Sequence, residues 1–157
     1  MVKKILITGN KGYLGPVVYD FLKKKNEFKI YGLDNFYFAK KDKKIENKFK
    51  DLRKISKEDV KNFDSVIHLA ALSNDPMGNE FKKQTKAINL KASKKLLDLC
   101  IKNEIQNFIF ASSCSIYGDS GSINKKENHK TNPLTEYAKS KIYFENYCKL
   151  KKLNKTK

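Results

Sequence analysis

One segment near the start of the chain restricts the possible folds more than any other. It is ILITGNKGYLG, in which a short apolar run is followed by three evenly spaced glycines. The run from Lys3 to Thr8 has the composition of a buried strand, and Gly9, Gly12 and Gly15 then open an amphipathic, helix-like pattern. Glycine lets the backbone approach a ligand closely, and the amides of a helix N-terminus bind pyrophosphate. The segment therefore predicts a dinucleotide-binding turn.

An acidic residue stands at the distance that such a turn requires. Asp34 stands at the end of the second predicted strand and lies 19 positions after Gly15, close to the roughly 20 expected for a carboxylate that binds the adenosine ribose hydroxyls. Because a carboxylate repels a 2′-phosphate, we expect NAD rather than NADP as the cofactor. The alternative is an ordinary turn followed by a surface aspartate.

The rest of the chain alternates short apolar runs with longer amphipathic ones, a pattern typical of consecutive βαβ units. It predicts an α/β fold: a Rossmann-like parallel sheet of about five strands in the order 3-2-1-4-5, flanked by helices. We expect strands at 3–8, 29–33, 49–52, 65–69 and 108–113, and helices near 13–25, 57–62, 79–102 and 135–150. The first helix is expected to bury Val17, Val18, Phe21 and Leu22.

Tyr137 and Lys141 stand four residues apart in the run YAKSK, about one helical turn, so both side chains leave one face of the last predicted helix. An ammonium beside a phenol lowers the pKa of the phenol from about 10 toward neutrality. A tyrosine held in this way exchanges protons at physiological pH. Together with the dinucleotide turn, the pair predicts an oxidoreductase site. The alternative is a packing tyrosine and a solvated lysine.

The net charge of +17 would ordinarily suggest a nucleic acid or an anionic membrane as a partner. We expect neither, because Arg53 is the only arginine and the lysines are spread over nearly every segment. The densest lysine runs, 40–44 and 149–157, are expected to be solvated surface. The positive field would still attract anionic, phosphate-bearing ligands.

Length and cysteine content restrict the class of protein further. With 157 residues we expect one domain, 1–157. Cys100, Cys114 and Cys148 are odd in number and share no metal-like spacing, so we expect neither a disulfide framework nor a metal site. No segment has the pattern of a signal peptide or a membrane span. These features favour the cytoplasm.

The order of these patterns resembles that of the extended short-chain dehydrogenase/reductases, specifically the NAD-dependent epimerase/dehydratase family that includes UDP-glucose 4-epimerase. The resemblance covers nearly the whole chain. The segments that carry it are TGNKGYLG (8–15), LDN (33–35), DLR (51–53), HLAALS (68–73), Asn89, FIFASSCSIYG (108–118) and YAKSK (137–141).

The resemblance implies a role for each matching position. Tyr137 is the implied base, Lys141 its tuner and Ser113 the catalytic serine that holds the sugar hydroxyl or ketone. The implied contacts with NAD are Gly9, Gly12, Tyr13, Leu14 and Gly15 at the pyrophosphate, Asp34 and Asn35 at the adenosine ribose, Asp51 and Leu52 at the adenine, and Leu69, Ala70, Ala71, Asn89 and Ser112 elsewhere along the cofactor, with Tyr137 and Lys141.

Some of these residues have an ordinary structural alternative. Ser112, Ser113 and Ser115 have the alternative of being polar caps at a strand end, which the presence of Tyr137 downstream disfavours. For Asn89 a solvent-facing helix residue is an equal alternative. His68 and His129 are given no functional role. We expect His68 to be a core or strand-end histidine rather than a catalytic one.

Two departures from the family pattern matter. Dehydratases of the family tend to carry an acidic pair after the catalytic serine or threonine, whereas Cys114 and Ser115 stand here, which favours an epimerase or reductase. The family also continues into a C-terminal substrate domain that this chain lacks, so the fifth strand would be left as a bare edge. The resemblance thus implies a nucleotide-sugar enzyme that acts as a homodimer through its two long helices or with a partner chain that supplies the C-terminal half. The alternative is a truncated, non-catalytic NAD-binding fragment.

Overall fold

The computed structural model describes residues 2–37, 46–119, 121, 124–151 and 156–157. The chain divides into two compact units, and each is described by itself. The first comprises Met1–Ala70, Lys95–Ala111 and Lys152–Lys157, and the second comprises Ala71–Lys94 and Ser112–Lys151. Of the lysine runs, positions 40–44 and 152–155 lie outside the described residues.

The first unit is built on a parallel sheet with the order β3-β2-β1-β4-β5, which confirms the predicted topology. The strands are β1 (Lys3–Thr8), β2 (Phe28–Asp34), β3 (Glu46–Phe49), β4 (Ser65–His68) and β5 (Asn107–Phe110). Within the central strand pairs, Ile5 lies opposite Ile30 on one side and Ser65 on the other. Since β1 is central and its last four residues are buried, the turn that follows it starts from a rigid strand.

Two predicted strands end three residues earlier than expected. The third was placed at 49–52, but β3 ends at Phe49, because the Asp51 side chain accepts a hydrogen bond from the Arg53 amide (2.9 Å) and caps a 3₁₀ turn at Leu52–Lys54. Likewise β5 ends at Phe110, and Ser113 caps a 3₁₀ turn at Cys114–Tyr117. Local side-chain hydrogen bonds decide both boundaries.

Helix α1 (Gly15–Lys23) follows the glycine turn, and Pro16 lies in its first turn as predicted. The expected buried stripe is wrong in part, because Val17 and Phe21 are 65% and 62% exposed. Only Gly15 is fully buried in this helix. Helix α1 therefore exposes part of its apolar surface.

The remaining helices of the first unit are α2 (Lys57–Val60) and the larger part of α5 (Ser93–Lys102). The core of the unit consists of buried aliphatic and sulfur-containing side chains, among them Ile5, Leu6, Ile7, Leu33, Ile55, Val60, Val66, Leu96, Leu97, Cys100 and Ile105. These residues come from strands and helices alike, as expected for a layered α/β unit.

Strand β5 forms one edge of the five-stranded sheet, and its Ile109 is 53% exposed. Near this edge the Lys157 amide donates to the Gln106 carbonyl (2.8 Å) and the Phe108 amide donates to the Lys157 carbonyl (2.9 Å). This pair of bonds has the geometry of a single parallel bridge. The outer edge of β5 is thus covered at one point.

The second unit is helical, and here the prediction of one helix over 79–102 is wrong. The chain instead forms α3 (Asp75–Glu80), α4 (Lys82–Thr85), a π-helical segment (Lys86–Ala92) and then α5. Asn74 caps α3 by accepting from the Met77 amide (2.8 Å), and Phe81 leaves the helical conformation with ψ 49°. The capping asparagine starts the helical region earlier than the apolar spacing suggested.

Helix α6 (Glu136–Leu150) carries the YAKSK run, one residue away from the predicted start. Thr135 is its N-cap, and the Thr135 hydroxyl accepts from the Ala138 amide (3.0 Å). The helix buries Tyr137, Ala138, Ser140, Lys141, Ile142 and Phe144. No helix among the described residues is both long and apolar enough to cross a membrane.

Candidate functional site

The glycine turn after β1 is held in place by backbone contacts that leave no room for side chains. Gly9 has φ +73°, its amide donates to the Leu33 carbonyl (2.8 Å), and a Cβ at Gly9 would lie 2.6 Å from the Ala70 nitrogen. A Cβ at Gly15 would lie 2.4 Å from the backbone of Asn10. Both glycines are therefore required for the turn to fold.

Gly12 differs from the other two glycines. Among the described residues, a Cβ at Gly12 would approach only the Gly9 carbonyl oxygen, at 3.3 Å. The space beside this glycine is open to a ligand, which is the property that close approach of a pyrophosphate demands. Tyr13 and Leu14, the predicted neighbours of the pyrophosphate, are exposed at the entry of α1.

Asp34 ends β2 as predicted, and its carboxylate is tied to the glycine turn. One carboxylate oxygen accepts from the Lys11 amide (2.9 Å) and the other from the Phe36 amide (2.7 Å). An ionised carboxylate has about four acceptor sites, so acceptor sites remain for a ligand. Asn35, the second predicted ribose contact, accepts from the Tyr37 amide (3.3 Å).

The Asp51 carboxylate, predicted to lie near the adenine, is already engaged by Arg53 through Nε (3.0 Å) and a terminal nitrogen (2.5 Å). The hydrogen bond from Arg53 holds the pKa of Asp51 below its usual value. Leu52 is buried. Leu69 and Ala70 follow β4 in the same unit and are half-buried, and the Ala70 amide lies 3.4 Å from the Thr8 hydroxyl.

In the second unit, Tyr137 and Lys141 lie together on the buried face of α6. They are 8% and 4% exposed, and the Lys141 Nζ lies 5.5 Å from the centre of the Tyr137 ring. Burial lowers the pKa of Lys141 to about 8, while the carboxylate of Glu145 acts to raise it. The Lys141 Nζ thus stands beside the Tyr137 ring in a buried environment.

The serines after β5 are structural caps in part. The Ser113 hydroxyl accepts from the Ser115 amide (3.2 Å), and Ser112 forms a hydrogen bond with the Glu145 carboxylate of α6. Glu145 lies one turn beyond Lys141 in the sequence, and nothing in the sequence pattern singled it out. It is a contact between α6 and the segment that carries Ser112 and Ser113.

Asn89 is buried, so the alternative of a solvent-facing asparagine is wrong. Its side-chain oxygen accepts from the Leu72 amide (2.9 Å) and its nitrogen donates to the Leu72 carbonyl (2.9 Å). The residue lies in the π-helical segment, a conformation that occurs often at functional sites. Asn89 fixes the backbone just after Ala71, a predicted cofactor contact in this unit.

Two residues of α3 were missed by the sequence analysis. The Asp75 carboxylate accepts hydrogen bonds from the hydroxyls of Ser115 (3.0 Å) and Thr135, and a Cβ at Gly78 would lie 2.7 Å from the Tyr137 Cβ. The order Asn-Asp-Pro at 74–76 is a helix start signal that could have located this helix. Its contacts with α6 could not be read from spacing.

The histidines have structural surroundings, as expected. His68 is buried in the first unit, where its Nδ1 lies 2.7 Å from the Thr8 hydroxyl and its ring packs near Phe108 and Phe110. His129 is exposed, and its Nδ1 accepts from the Lys126 amide (3.2 Å). The interpretation of His68 as a core histidine agrees with these contacts.

Comparison with known proteins places these features in a family. Residues 5–153 match the model of the NAD dependent epimerase/dehydratase family. The chain is 32% identical over 162 residues to an uncharacterized UDP-glucose epimerase of Bacillus subtilis, covering 92% of this chain and 50% of that protein.

Solved structures give the same result. The chain is similar to UDP-N-acetylglucosamine 4-epimerase from Methanobrevibacter ruminantium in complex with UDP-N-acetylmuramic acid, with a TM-score of 0.86, 29% identity, and coverage of 94% of this chain and 49% of that one. UDP-glucose 4-epimerase of Thermus thermophilus in complex with NAD matches with a TM-score of 0.84 and 26% identity, covering 94% and 50%. The chain spans about half the length of the relatives it matches.

Proposed function

The chain belongs to the NAD dependent epimerase/dehydratase family, and on this basis we propose that it carries the cofactor-binding and proton-transfer half of a nucleotide-sugar epimerase or a related oxidoreductase. The observation that carries the proposal is the burial of Tyr137 and Lys141 together on one face of α6. A phenol and an ammonium in this arrangement form the acid/base device that the reaction needs.

The cofactor proposed for the first unit is NAD. The open side of Gly12 would admit the pyrophosphate, and the free acceptor sites of Asp34 would take the ribose hydroxyls while repelling a 2′-phosphate. The implied contacts at Asn35, Asp51, Leu52, Leu69 and Ala70, and at Ala71, Asn89 and Ser112, belong to this proposal. When bound, NAD would accept a hydride and return it.

The residues of the second unit would handle the proton. The Tyr137 phenol would take a proton from a sugar hydroxyl and return it, with the Lys141 Nζ beside its ring. The Ser113 hydroxyl would hold the same sugar oxygen by a hydrogen bond. Because Cys114 and Ser115 stand where dehydratases tend to carry acids, we propose an epimerase or a reductase rather than a dehydratase.

A second candidate function is a non-catalytic NAD-binding fragment or one half of a split enzyme. The observation that favours it is coverage, since the chain matches only about half of its relatives. Positioning of the substrate contributes about 7 to 11 kcal/mol to lowering a barrier, and residues that hold the sugar nucleotide are expected in the other half. We therefore expect the chain alone to bind NAD but to convert nucleotide sugars feebly or not at all.

Partners follow from the same proposal. We propose a homodimer through the helices predicted at 79–102 and 135–150, and the Leu150 side chain at the end of α6 is 84% exposed. Sedimentation that shows only monomer at high concentration would contradict it. The alternative partner is a chain that supplies the part of the relatives' length that this sequence does not match. The odd number and the spacing of the three cysteines are the basis for proposing a reducing, cytoplasmic compartment.

Calorimetry with NAD and NADP tests the cofactor assignment. We expect the unaltered chain to prefer NAD, and Asp34→Asn to reduce that preference by about tenfold, because the variant no longer repels the 2′-phosphate. Asp20→Asn, which removes an exposed carboxylate from α1, is the matched control and should change nothing. Equal binding of NADP to the unaltered chain would show that the role of Asp34 is wrong.

A coupled epimerase assay with UDP-, GDP- and dTDP-sugars separates the two candidate functions. Any measurable turnover should disappear in Tyr137→Phe and persist in Tyr143→Phe, which removes an exposed hydroxyl from the same helix. Robust turnover by the 157-residue chain would exclude the fragment hypothesis. Complete absence of NAD binding would contradict the proposed function in either form.

A further inference from the structure

One carboxylate in the second unit joins the two segments that carry the proposed proton-transfer residues. Asp75 lies in the first turn of α3 and is half-buried. One of its oxygens accepts from the Ser115 hydroxyl at 3.0 Å, and the other accepts from the Thr135 hydroxyl. Hydrogen bonds to a charged acceptor are about twice as strong as neutral ones, so Asp75 is a firm anchor for both hydroxyls.

Each of these hydroxyls belongs to a residue that orients a neighbour. Thr135 caps α6, since its oxygen also accepts from the Ala138 amide (3.0 Å), and Tyr137 lies in the turn that this cap begins. Ser115 donates its amide to the Ser113 hydroxyl (3.2 Å). A single carboxylate therefore connects the start of the tyrosine helix with the turn that holds Ser113.

The backbone of α3 also approaches the tyrosine directly. A Cβ at Gly78 would lie 2.7 Å from the Tyr137 Cβ and 2.8 Å from the Tyr137 nitrogen. Asp75 and Gly78 are three residues apart, so they lie on adjacent turns of one side of α3. Gly78 allows α3 to approach the start of α6, and Asp75 holds α6 there through Thr135.

We propose that Asp75 is a positioning residue that sets the orientation of Tyr137 relative to Ser113. The inference rests on the proposed function, in which those two side chains handle the proton. The physical reason is that a misplacement of about 1 Å can cost about a hundredfold in rate, while a helix terminus held only by its own turn can fray or shift. Asp75 removes that freedom without touching the reacting atoms.

The test is a spectroscopic signature of Tyr137 in the full chain. The eight tyrosines are labelled with ¹³C at Cζ, and the Tyr137 signal is assigned by its loss in Tyr137→Phe. In Asp75→Asn, which leaves one hydroxyl without its acceptor, we expect the Tyr137 signal to move while the signals of Tyr19 and Tyr31 in the first unit stay. Glu80→Gln, which removes an exposed carboxylate from the same helix, should move none.

Thermal melts show whether Asp75→Asn is folded, since a folded variant unfolds cooperatively. If it is not folded, a second variant tests the proposal. Ser115→Ala removes one donor and keeps the charge, so we expect a smaller movement of the Tyr137 signal in the same direction. In Asp75→Asn with Ser115→Ala we expect no further movement, because both changes act through one carboxylate. An unmoved Tyr137 signal in folded Asp75→Asn, or in Ser115→Ala when that variant decides alone, would overturn the proposal.

The two levels of inference fail differently. If NAD binding and the loss of turnover in Tyr137→Phe are as proposed but the Tyr137 signal does not move in Asp75→Asn, only the positioning role is wrong. If NAD does not bind while the Tyr137 signal does follow Asp75, the proposed function is wrong and the contact is structural.

Discussion

The glycine turn of the first unit and the tyrosine helix of the second are fixed by different physical means. The turn depends on missing side chains, since a Cβ at Gly9 or Gly15 would overlap the backbone at 2.6 or 2.4 Å. The start of the tyrosine helix depends on added side chains, because Asp75 joins it to the serine turn through two hydroxyls. The second unit also depends on a missing side chain at Gly78, where a Cβ would lie 2.7 Å from the Tyr137 Cβ.

The difference teaches where each kind of site is vulnerable. Steric fixation is local and cannot be adjusted, so a single methyl group disrupts it. Fixation by hydrogen bonds is shared among several residues and weakens in steps, typically by about 1 to 3 kcal/mol for each unsatisfied group. Substitutions at the sterically fixed glycines should therefore reduce stability abruptly, whereas substitutions in the hydrogen-bonded contacts should reduce it in smaller steps.

The largest effect is expected from two alanine substitutions in the glycine turn. Gly15→Ala should lower the free energy of unfolding by about 3 kcal/mol through the clash with Asn10, and NAD binding should be lost with it. Gly12→Ala should lower the free energy of unfolding by only about 1 kcal/mol, because the new Cβ meets only the Gly9 oxygen, which has to shift slightly. The same substitution should weaken NAD binding about a hundredfold, roughly 2.7 kcal/mol. Calorimetry and thermal melts measure both.

The control for these variants is Gly121→Ala. Gly121 has φ +58° with nothing within 4 Å of its Cβ position, so the substitution should cost only about 1 kcal/mol of backbone strain and leave NAD binding intact. If Gly12→Ala binds NAD normally, the open side of Gly12 does not face the pyrophosphate.

Gly78→Ala tests whether the second unit shares the steric rigidity of the first. The Cβ would meet Tyr137 at 2.7 Å, so we expect a loss of about 2 kcal/mol in the free energy of unfolding. Asn79→Ala, at an exposed position of the same helix, should change stability by less than about 0.5 kcal/mol. Urea denaturation distinguishes them. Equal stability of the two variants would mean that α3 can move away from α6.

The buried Lys141 predicts a dependence of stability on alkaline pH. Its pKa falls to about 8 in the folded protein from 10.5, mainly through burial, so the folded state binds fewer protons. Below pH 8 both states are protonated and the burial cost is present in full. As pH rises from 8 to 10.5 the cost disappears. Stability relative to Lys141→Met should therefore improve by about 2 kcal/mol between pH 7 and pH 10.

Lys149→Met is the matched control for this measurement, because Lys149 is exposed on the same helix. Denaturation at the two pH values should give the same difference between this control and the unaltered chain. A difference for Lys141→Met that does not change with pH would show that the ammonium is not buried as described.

The smallest effect is expected at acid pH in the first unit. Burial of Asp59 disfavours its charge, but hydrogen bonds from Lys48, Lys50 (2.5 Å) and the Ser56 amide (2.8 Å) outweigh it and lower its pKa from 3.8 to about 2. The carboxylate therefore contributes stability above pH 3.8 that is lost as pH falls to 2. This contribution is about 1 to 2 kcal/mol, discounted for the exposure of Lys48.

Thermal melts between pH 5 and 2 measure this contribution. In Asp59→Asn the fall in stability over that range should be shallower than in the unaltered chain, whereas Asp20→Asn, at an exposed position of α1, should follow the unaltered chain. Parallel curves for Asp59→Asn and the unaltered chain would contradict the role of the two lysines.

Much of the fold could be predicted from the sequence because it rests on local, repeating patterns. The bounds of β1 and the strand order 3-2-1-4-5 agree with the sequence analysis, since alternating βαβ units and right-handed connections leave few topologies. The predicted long helix over 79–102 was wrong because Asn74 and Phe81 set its start and first interruption through local conformation. Apolar spacing does not record such contacts.

The sequence by itself determined which chemical groups are present and how they are spaced: a glycine turn, an aspartate at the end of the second strand and a tyrosine–lysine pair one helical turn apart. These features depend on residues within a few positions of each other or on a fixed spacing. Only the tertiary structure decided that Asn89 is buried against Leu72 and that Asp75 joins Thr135 to Ser115. Those contacts span 17 to 60 residues, and no pattern in the sequence encodes which distant side chains meet, because packing of the whole unit selects them.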